Sequence, residues 1–220
     1  MEKKHPRIFF RKRLNELRDY MEEMGSYSLE AYKQSISVLF DYDEEVIKTI
    51  EKTSEKVDRM NYQLEQKTMS IIAAEQPVAR DLRFIEASLK IGSHFKRIGG
   101  LASNIAEISR HIKDAEIPDT PKDDILKMAE IVETMVNKSI NSFINQDVEA
   151  VRELHHDDDQ VDDLFDTTLK DITESMFDEK DAIYYMVYLL FVARFLERIA
   201  DRSESIGNRT VFMITCEKPI

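Results

Sequence analysis

Residues that interrupt helices are scarce in this sequence of 220 residues. It holds only five glycines and five prolines, so it offers little from which tight turns and strands could be built. Its hydrophobic content of 42% is high enough to bury a sizeable core. We therefore expect an all-α fold.

The sequence also lacks a second cysteine and a net positive charge. The single cysteine, Cys216, cannot form an internal disulfide, which suits a reducing compartment. The formal net charge of −12 would repel nucleic acids and anionic lipid surfaces. We expect a cytoplasmic protein that does not bind nucleic acid.

Long apolar runs are the third absence. The longest, AIYYMVYLLFVA from Ala182 to Ala193, has twelve residues, whereas a membrane-spanning helix needs about 20. We therefore expect a buried helix here and no membrane insertion. The basic first segment, MEKKHPRIFFRKR, lacks the apolar stretch of a signal peptide and is predicted to be a frayed lead-in to the first helix.

Five breaks divide the rest of the chain into six segments with helical periodicity. They lie at Asp41 to Asp43, at Gln76-Pro77, in IPDTPKDD from Ile117, around Gln146, and in FDEKD from Phe177. Thr120, followed by Pro121 and Asp123, predicts a capping box at the start of the fourth helix. Helices of this length, about 50 Å for 35 residues, pack side by side in bundles.

The sequence repeats itself with an offset of 101 residues. LKIGSHFKRIGGLASNI, from Leu89, aligns with LFVARFLERIADRSESI, from Leu190. The same offset places Asp58, Asn61 and Glu65 on Asp159, Asp162 and Asp166. We predict two related three-helix bundles, residues 7–115 and 120–216, with a pseudo-two-fold relation.

The second half carries a dense group of acidic residues. LHHDDDQVDDLFD, residues 154–166, places Asp159, Asp162 and Asp166 on one face of the fifth helix. Glu197 and Asp201 lie one turn apart on the sixth helix. If the two helices are antiparallel neighbours, these five carboxylates meet, and they cannot all stay ionised without a cation. A metal ion is the simplest counter-charge for them.

Oxygen ligands favour iron, manganese, magnesium, calcium or nickel over a tetrahedral zinc site, and His155 and His156 could add nitrogen. A plainer interpretation stays open. Arg194 and Arg198 are spaced to pair with the acidic residues of the sixth helix, which would make a surface ion-pair lattice. The run from Asp157 to Asp159 is by itself typical of a solvated helix face.

Four segments carry a resemblance to a known family. They are DRMNYQLE from Asp58, QPVARDLRFIEASLKI from Gln76, ASNIAE from Ala102 and ARFLERIADRSESIGN from Ala193. Over nearly its whole length the chain resembles the PhoU family of phosphate-signalling and phosphate-transport regulators. The resemblance implies paired three-helix bundles in which an E(D)xxxD motif of each repeat holds a metal ion or a multinuclear cluster of iron, manganese, magnesium, nickel or zinc. Glu197 and Asp201 stand at the second copy of that motif.

The first copy departs from the family pattern. Lys96 and Gly100 stand where the acidic pair is expected, while Asp58 and Glu65 remain on the opposite helix. A lysine on that face would replace the metal charge or repel it, so we expect the first site to be lost or much weakened. His94 could serve as a substitute ligand or simply pack in the bundle.

The resemblance implies a negative regulator of phosphate uptake and of phosphate-responsive signalling. Its expected partners are the ATPase component of a phosphate ABC transporter, a membrane-bound sensor histidine kinase, and a second copy of the chain as a homodimer. No P-loop, nucleophile elbow, cysteine pair or glycine-rich phosphate cradle occurs, so we expect no enzymatic activity.

A ferritin-like enzyme and a metal-free scaffold are the two alternatives to a regulator. A ferritin-like carboxylate enzyme needs Glu-x-x-His on two core helices. Within a helix only Glu153 to His156 fits, since the other match, Glu2 to His5, lies at the start of the chain. A metal-free helical scaffold without a phosphate role stays open as the alternative function.

Overall fold

Six long α-helices make up the protein. The computed structural model describes residues 6–178 and 180–217, and within these ranges no strand occurs. The helices are α1 (Pro6–Phe40), α2 (Glu44–Glu75), α3 (Ala79–Ile112), α4 (Asp119–Asn145), α5 (Glu149–Asp178) and α6 (Ile183–Thr215), with a short 3-10 turn at Lys180–Ala182. The all-α fold class is confirmed, and each predicted break lies at or beside a helix boundary.

Two predicted helix starts are wrong. α1 already begins at Pro6, so the segment up to Arg13 is not a frayed lead-in; residues 1–5, with Glu2 and His5, lie outside the described residues. α4 begins at Asp119, with Pro118 as its N-cap residue and no side-chain capping bond, so the Thr120 capping box does not form. Proline is tolerated in the first turn of a helix. The position of Pro121 therefore shows that α4 begins nearby but not at which residue.

Helices α1 to α3 pack together as one bundle and α4 to α6 as another. Offset by 101 residues, α2 falls on α5 and α3 on α6, with ends that differ by at most four residues. Large side chains such as Phe95 and Phe143 are fully buried in the core.

The two bundles join through α3 against α6 and α1 against α4. α3 and α6 run antiparallel: Arg83 Nε donates to the carbonyl of Met213 at 3.0 Å, and His111 stacks on Tyr188 with ring centroids 4.6 Å apart. Gly25 of α1 lies where helices approach closely, since a Cβ there would come within 3.1 Å of side-chain atoms of Ile140 and Phe95. Among the described helices, none combines the length and apolarity needed to cross a bilayer.

Removing the Tyr32 hydroxyl should weaken the contact between the bundles. Tyr32 is fully buried, and its hydroxyl donates to the carbonyl of Ala129 on α4 at 2.8 Å. We expect Tyr32→Phe to lower the free energy of unfolding by about 1 kcal/mol, the net value of a typical internal hydrogen bond. Denaturant titration measures this change. Tyr20→Phe is the control, because the Tyr20 hydroxyl is only partly buried and bonds within the first bundle; an equal loss in both variants would contradict the assignment.

Candidate metal centre

The predicted acidic residues line a groove between α5 and α6. These two helices are joined by the short turn at residues 180–182 and pack against each other. Burial raises the pKa of Asp162, and the charges of Asp201, Asp159, Asp166 and Glu204 raise it further. The structure therefore brings the acidic faces of the two helices together, as the spacing predicted.

Glu197 is the most enclosed of the five predicted ligands. Asp159, Asp162 and Asp166 are exposed and Asp201 is half-buried, whereas the Glu197 side chain is 15% exposed. Burial and the charge of Asp201 raise the pKa of Glu197, partly offset by Arg194. Arg194 pairs with Glu197 Oε1, while Oε2 is buried and has no hydrogen-bond partner. A buried carboxylate oxygen without a partner is a vacant acceptor that a cation could satisfy.

Two carboxylates that the prediction left out belong to the same groove. Burial raises the pKa of Asp158 to about 7, with further contributions from Glu204, Asp162, Asp201 and Asp159. Glu204 Oε1 lies 2.6 Å from His155 Nδ1, so a histidine also reaches this groove. Helical spacing could have identified both, because Asp158 precedes Asp162 by one turn and Glu204 follows Asp201 by one turn.

The three aspartates at residues 157–159 have different neighbours. Asp157 turns to the neighbouring helix, where its Oδ2 lies 2.7 Å from Lys138 Nζ on α4, and Glu153 shares that lysine at 3.1 Å. Asp159 is exposed. Asp157 thus belongs to an ion pair, and Asp158 belongs to the groove.

Arginines do not balance the charge of the groove. Arg194 pairs with Glu197, and Arg202 Nη2 lies 4.0 Å from Asp201 Oδ2. Arg198, which the ion-pair interpretation required, makes no ion pair with any described residue. Two arginines thus face seven interacting carboxylates, which are Asp158, Asp159, Asp162, Asp166, Glu197, Asp201 and Glu204.

The donor chemistry suits a hard cation, because the groove supplies many carboxylate oxygens and one imidazole. Within residues 6–178 and 180–217, however, no three His, Cys, Asp or Glu side chains lie close enough together to hold a metal ion as they stand. A metal would have to draw the carboxylates of α5 and α6 closer. The metal site at Asp159, Asp162, Asp166, Glu197 and Asp201 thus stays a prediction.

The equivalent groove of the first bundle carries its own positive charge. Lys96 Nζ lies 2.5 Å from Asp58 Oδ1, and Asn61 donates to Glu65 at 3.3 Å. Apart from its chain neighbours and the backbone of its own helix, no atom of the described residues lies within 4 Å of the position that a Cβ on Gly100 would take, so a side chain there has room. The first bundle therefore needs no cation to balance Asp58.

His94 faces cations rather than the carboxylates of the first groove. It is half-buried, and burial together with Arg202, Arg97 and Lys90 lowers its pKa to about 4. Its Nδ1 is buried without a hydrogen-bond partner. These surroundings favour a packing role for His94 over that of a substitute ligand.

Comparison with known proteins identifies the family. The family model described as the PhoU domain matches residues 21–109 and again residues 125–210. The accessory protein of a phosphate-specific transport system named PhoU homolog 1, from Methanothermobacter thermautotrophicus, is 56% identical over 219 residues, which cover all of both chains. This chain belongs to the PhoU family. A PhoU homolog from Aquifex aeolicus is 34% identical over 188 residues, 85% of this chain and 84% of its own.

Solved PhoU structures share the fold. PhoU from Pseudomonas aeruginosa superposes with a TM-score of 0.90 at 22% identity, covering 94% of this chain and all of that one. The phosphate transport system regulatory protein PhoU from Streptococcus pneumoniae gives a TM-score of 0.88 at 22% identity, covering 96% of this chain and 99% of that one. The paired-bundle architecture is thus that of PhoU proteins.

The raised pKa of Asp158 predicts that the metal-free protein loses stability as the pH rises. Folding takes up a proton between the ordinary pKa of 3.8 and the folded value of about 7, so the free energy of unfolding falls across this window. Asp158→Asn removes the charge and should flatten that fall. Allowing for solvent screening, we expect a melting temperature at pH 7.5 that is higher by roughly 2–4 °C.

Thermal melts in a chelating buffer at several pH values between 4 and 8 measure this effect. Asp163→Asn is the matched control, because Asp163 is an exposed aspartate of the same helix. Identical pH dependence in Asp158→Asn and the unmodified protein would contradict the prediction.

The two bundles should differ in metal binding. Glu197→Gln with Asp201→Asn should abolish metal retention, because it removes the two carboxylates that α6 contributes to the predicted site. Lys96→Glu with Gly100→Asp should create or strengthen a site in the first bundle, since it removes the cation and adds two carboxylates where there is room. Elemental analysis of untagged protein gives the stoichiometry. Metal that persists in the first variant, or that lies between Asp58 and Glu65 in the unmodified protein, would show that the site was placed in the wrong bundle.

Proposed function

We propose that this PhoU-family protein is a metal-binding helical adaptor that represses phosphate uptake and phosphate-responsive signalling. The observation that carries the proposal is the full-length likeness to a protein named as an accessory protein of a phosphate-specific transport system. The regulatory part of the proposal is supported by the shared fold with the Streptococcus pneumoniae protein, which is described as a phosphate transport system regulatory protein. We further propose that the protein acts in the cytoplasm and has no catalytic activity of its own.

The metal would be held by the α5–α6 groove. Asp159, Asp162, Asp166, Glu197 and Asp201 are the proposed ligands, and Asp158 and Glu204 are within electrostatic reach of them. A bound cation would supply the positive charge that the groove lacks and would tie α5 to α6. Its role here is structural, because it would fix the relative position of two helices that present a partner-binding surface.

The proposed partners are the ATPase component of a phosphate ABC transporter and a sensor histidine kinase, with the adaptor present as a homodimer. An adaptor needs long, accessible helical faces, and the exposed side of α6 offers Tyr184, Val187 and Phe191, of which Tyr184 is 59% exposed.

A metal-free scaffold is the second candidate. It is favoured by the spacing of the groove carboxylates, since among the described residues no three are close enough to hold a metal. The scaffold has no phosphate role, so the two candidates differ in whether the protein regulates phosphate uptake and binds the transporter ATPase or the sensor kinase.

Regulation and partner binding can be measured in the cell from which the chain comes. Replacing the gene by the Glu197→Gln, Asp201→Asn variant should raise phosphate uptake and the expression of phosphate-responsive genes in phosphate-rich medium. We expect partial derepression, because the helical surfaces themselves remain. The Asp163→Asn variant is the control and should behave as the unmodified protein does.

Affinity capture of the unmodified protein should recover the transporter ATPase or the sensor kinase. Normal regulation in the groove variant would show that regulation does not need the groove carboxylates. Recovery of neither partner would reject the adaptor proposal and favour the metal-free scaffold.

A further inference from the structure

One pocket gathers arginines in a protein that is otherwise acidic. It lies between α1 and the start of α3 and is closed on one side by the end of α4, with a cavity volume of about 280 Å³. Its lining residues are Arg11, Leu14, Asn15, Arg18, Arg80, Asp81, Phe84 and Gln146. The net charge of the chain is −12, so a local excess of positive charge is unusual for this surface.

The three arginines are not neutralised by the protein around them. Among the described residues, Arg11, Arg18 and Arg80 form no ion pair. The nearby Arg13, by contrast, lies 3.5 Å from Glu75. Asp81 is the acidic residue of the lining, so the pocket carries three positive charges against one negative and has a local excess of two.

Two of the arginines are already held in place. The Arg18 guanidinium lies 5.6 Å from the centre of the Phe84 ring, and its Nε is buried without a hydrogen-bond partner. Arg80 Nη2 donates to Gln146 Oε1 at 2.5 Å. Because these side chains are partly fixed before any ligand arrives, binding would cost little additional ordering of the arginines.

The pocket also connects the two bundles. Arg18 and Arg80 belong to the first bundle, while Gln146 caps α4 of the second in a left-handed conformation with φ of 57°. No side chain caps the N-terminus of α3 beside Arg80, so the start of that helix adds a partial positive charge to the same end of the molecule.

We propose that this pocket binds a phosphate dianion, either inorganic phosphate or the phosphoryl group of a larger ligand. A guanidinium donates two parallel hydrogen bonds to oxyanions, and three of them can surround a tetrahedral group. A dianion balances the local excess of two charges, whereas a carboxylate would leave one positive charge unmatched. The inference goes beyond the proposed function and stands without it, because none of these residues lies in the acidic groove.

Titration calorimetry of the metal-free protein in a chelating, phosphate-free buffer tests the proposal. We expect saturable binding of inorganic phosphate at one site. Arg18→Gln and Arg80→Gln should each weaken it at least about tenfold, since each removes charged hydrogen bonds to the anion. Arg59→Gln and Arg152→Gln are matched controls, because each of these exposed arginines pairs with a glutamate of its own helix. Both controls should bind as the unmodified protein does.

Separate titrations distinguish the sources of the phosphoryl group. Binding of ADP that exceeds that of phosphate and falls in the same two arginine variants would indicate a phosphoryl group of a larger ligand. Phosphate binding without ADP binding would indicate the free anion.

Several outcomes would overturn the proposal. They are the absence of saturable binding of both phosphate and ADP, equal binding of acetate, or unchanged affinity in the arginine variants. If Arg18→Gln fails to fold, Arg80→Gln decides, because Arg80 is exposed. Phosphate binding that requires added metal and disappears in the Glu197→Gln, Asp201→Asn variant would place the anion at the metal and reject the pocket, without affecting the adaptor proposal.

Discussion

Repulsion between carboxylates in the α5–α6 groove is the constraint on which the second bundle depends. Two unit charges 4 Å apart repel by about 4 kcal/mol at the effective dielectric of a protein surface, and seven interacting carboxylates share this groove. The apolar core beneath holds the two helices together against that repulsion, with Leu154, Val161 and Leu196 almost fully buried. Protons, the two arginines that pair with Glu197 and Asp201, or a cation would each reduce this repulsion.

The equivalent acidic sites of the two bundles differ in the positive charge beside them. In the first, Lys96 supplies a positive charge beside Asp58 from within the same bundle. In the second, Glu197 and Asp201 stand at the positions equivalent to Lys96 and Gly100, and Arg194 and Arg202 are the cations that pair with them. The two repeats therefore differ in how their acidic side chains are balanced: an ion pair with a lysine in the first, and a larger group of carboxylates with raised pKa values in the second.

The fold could be predicted from the sequence because its signals are local. Helical periodicity, the few break residues and the 101-residue offset give six helices in two bundles without knowledge of any distant contact. The composition of the groove was harder to predict, since Asp158 and Asp159 are neighbours that point about 100° apart on a helix. Which of the two faces α6 depends on the rotation of α5 about its own axis. The ion pair between Asp157 and Lys138 of α4 contributes to that rotation. The arginine pocket could not be predicted at all, because its residues come from three helices far apart in the sequence.

Side chains of opposite charge are gathered in two different parts of the molecule. The groove gathers carboxylates that favour cations, and the pocket between α1 and α3 gathers arginines that favour anions. α3 and α6 connect these regions, since they run antiparallel through the centre of the protein and are linked by the Arg83 contact to Met213 at one end and the His111 stack on Tyr188 at the other. The two helices pack against each other from one end to the other, so any displacement of α6 would change the surface against which α3 packs. The contact between α3 and α6 is therefore the element that both regions share, since Arg80 and Phe84 of the pocket lie on α3 while Glu197 and Asp201 of the groove lie on α6.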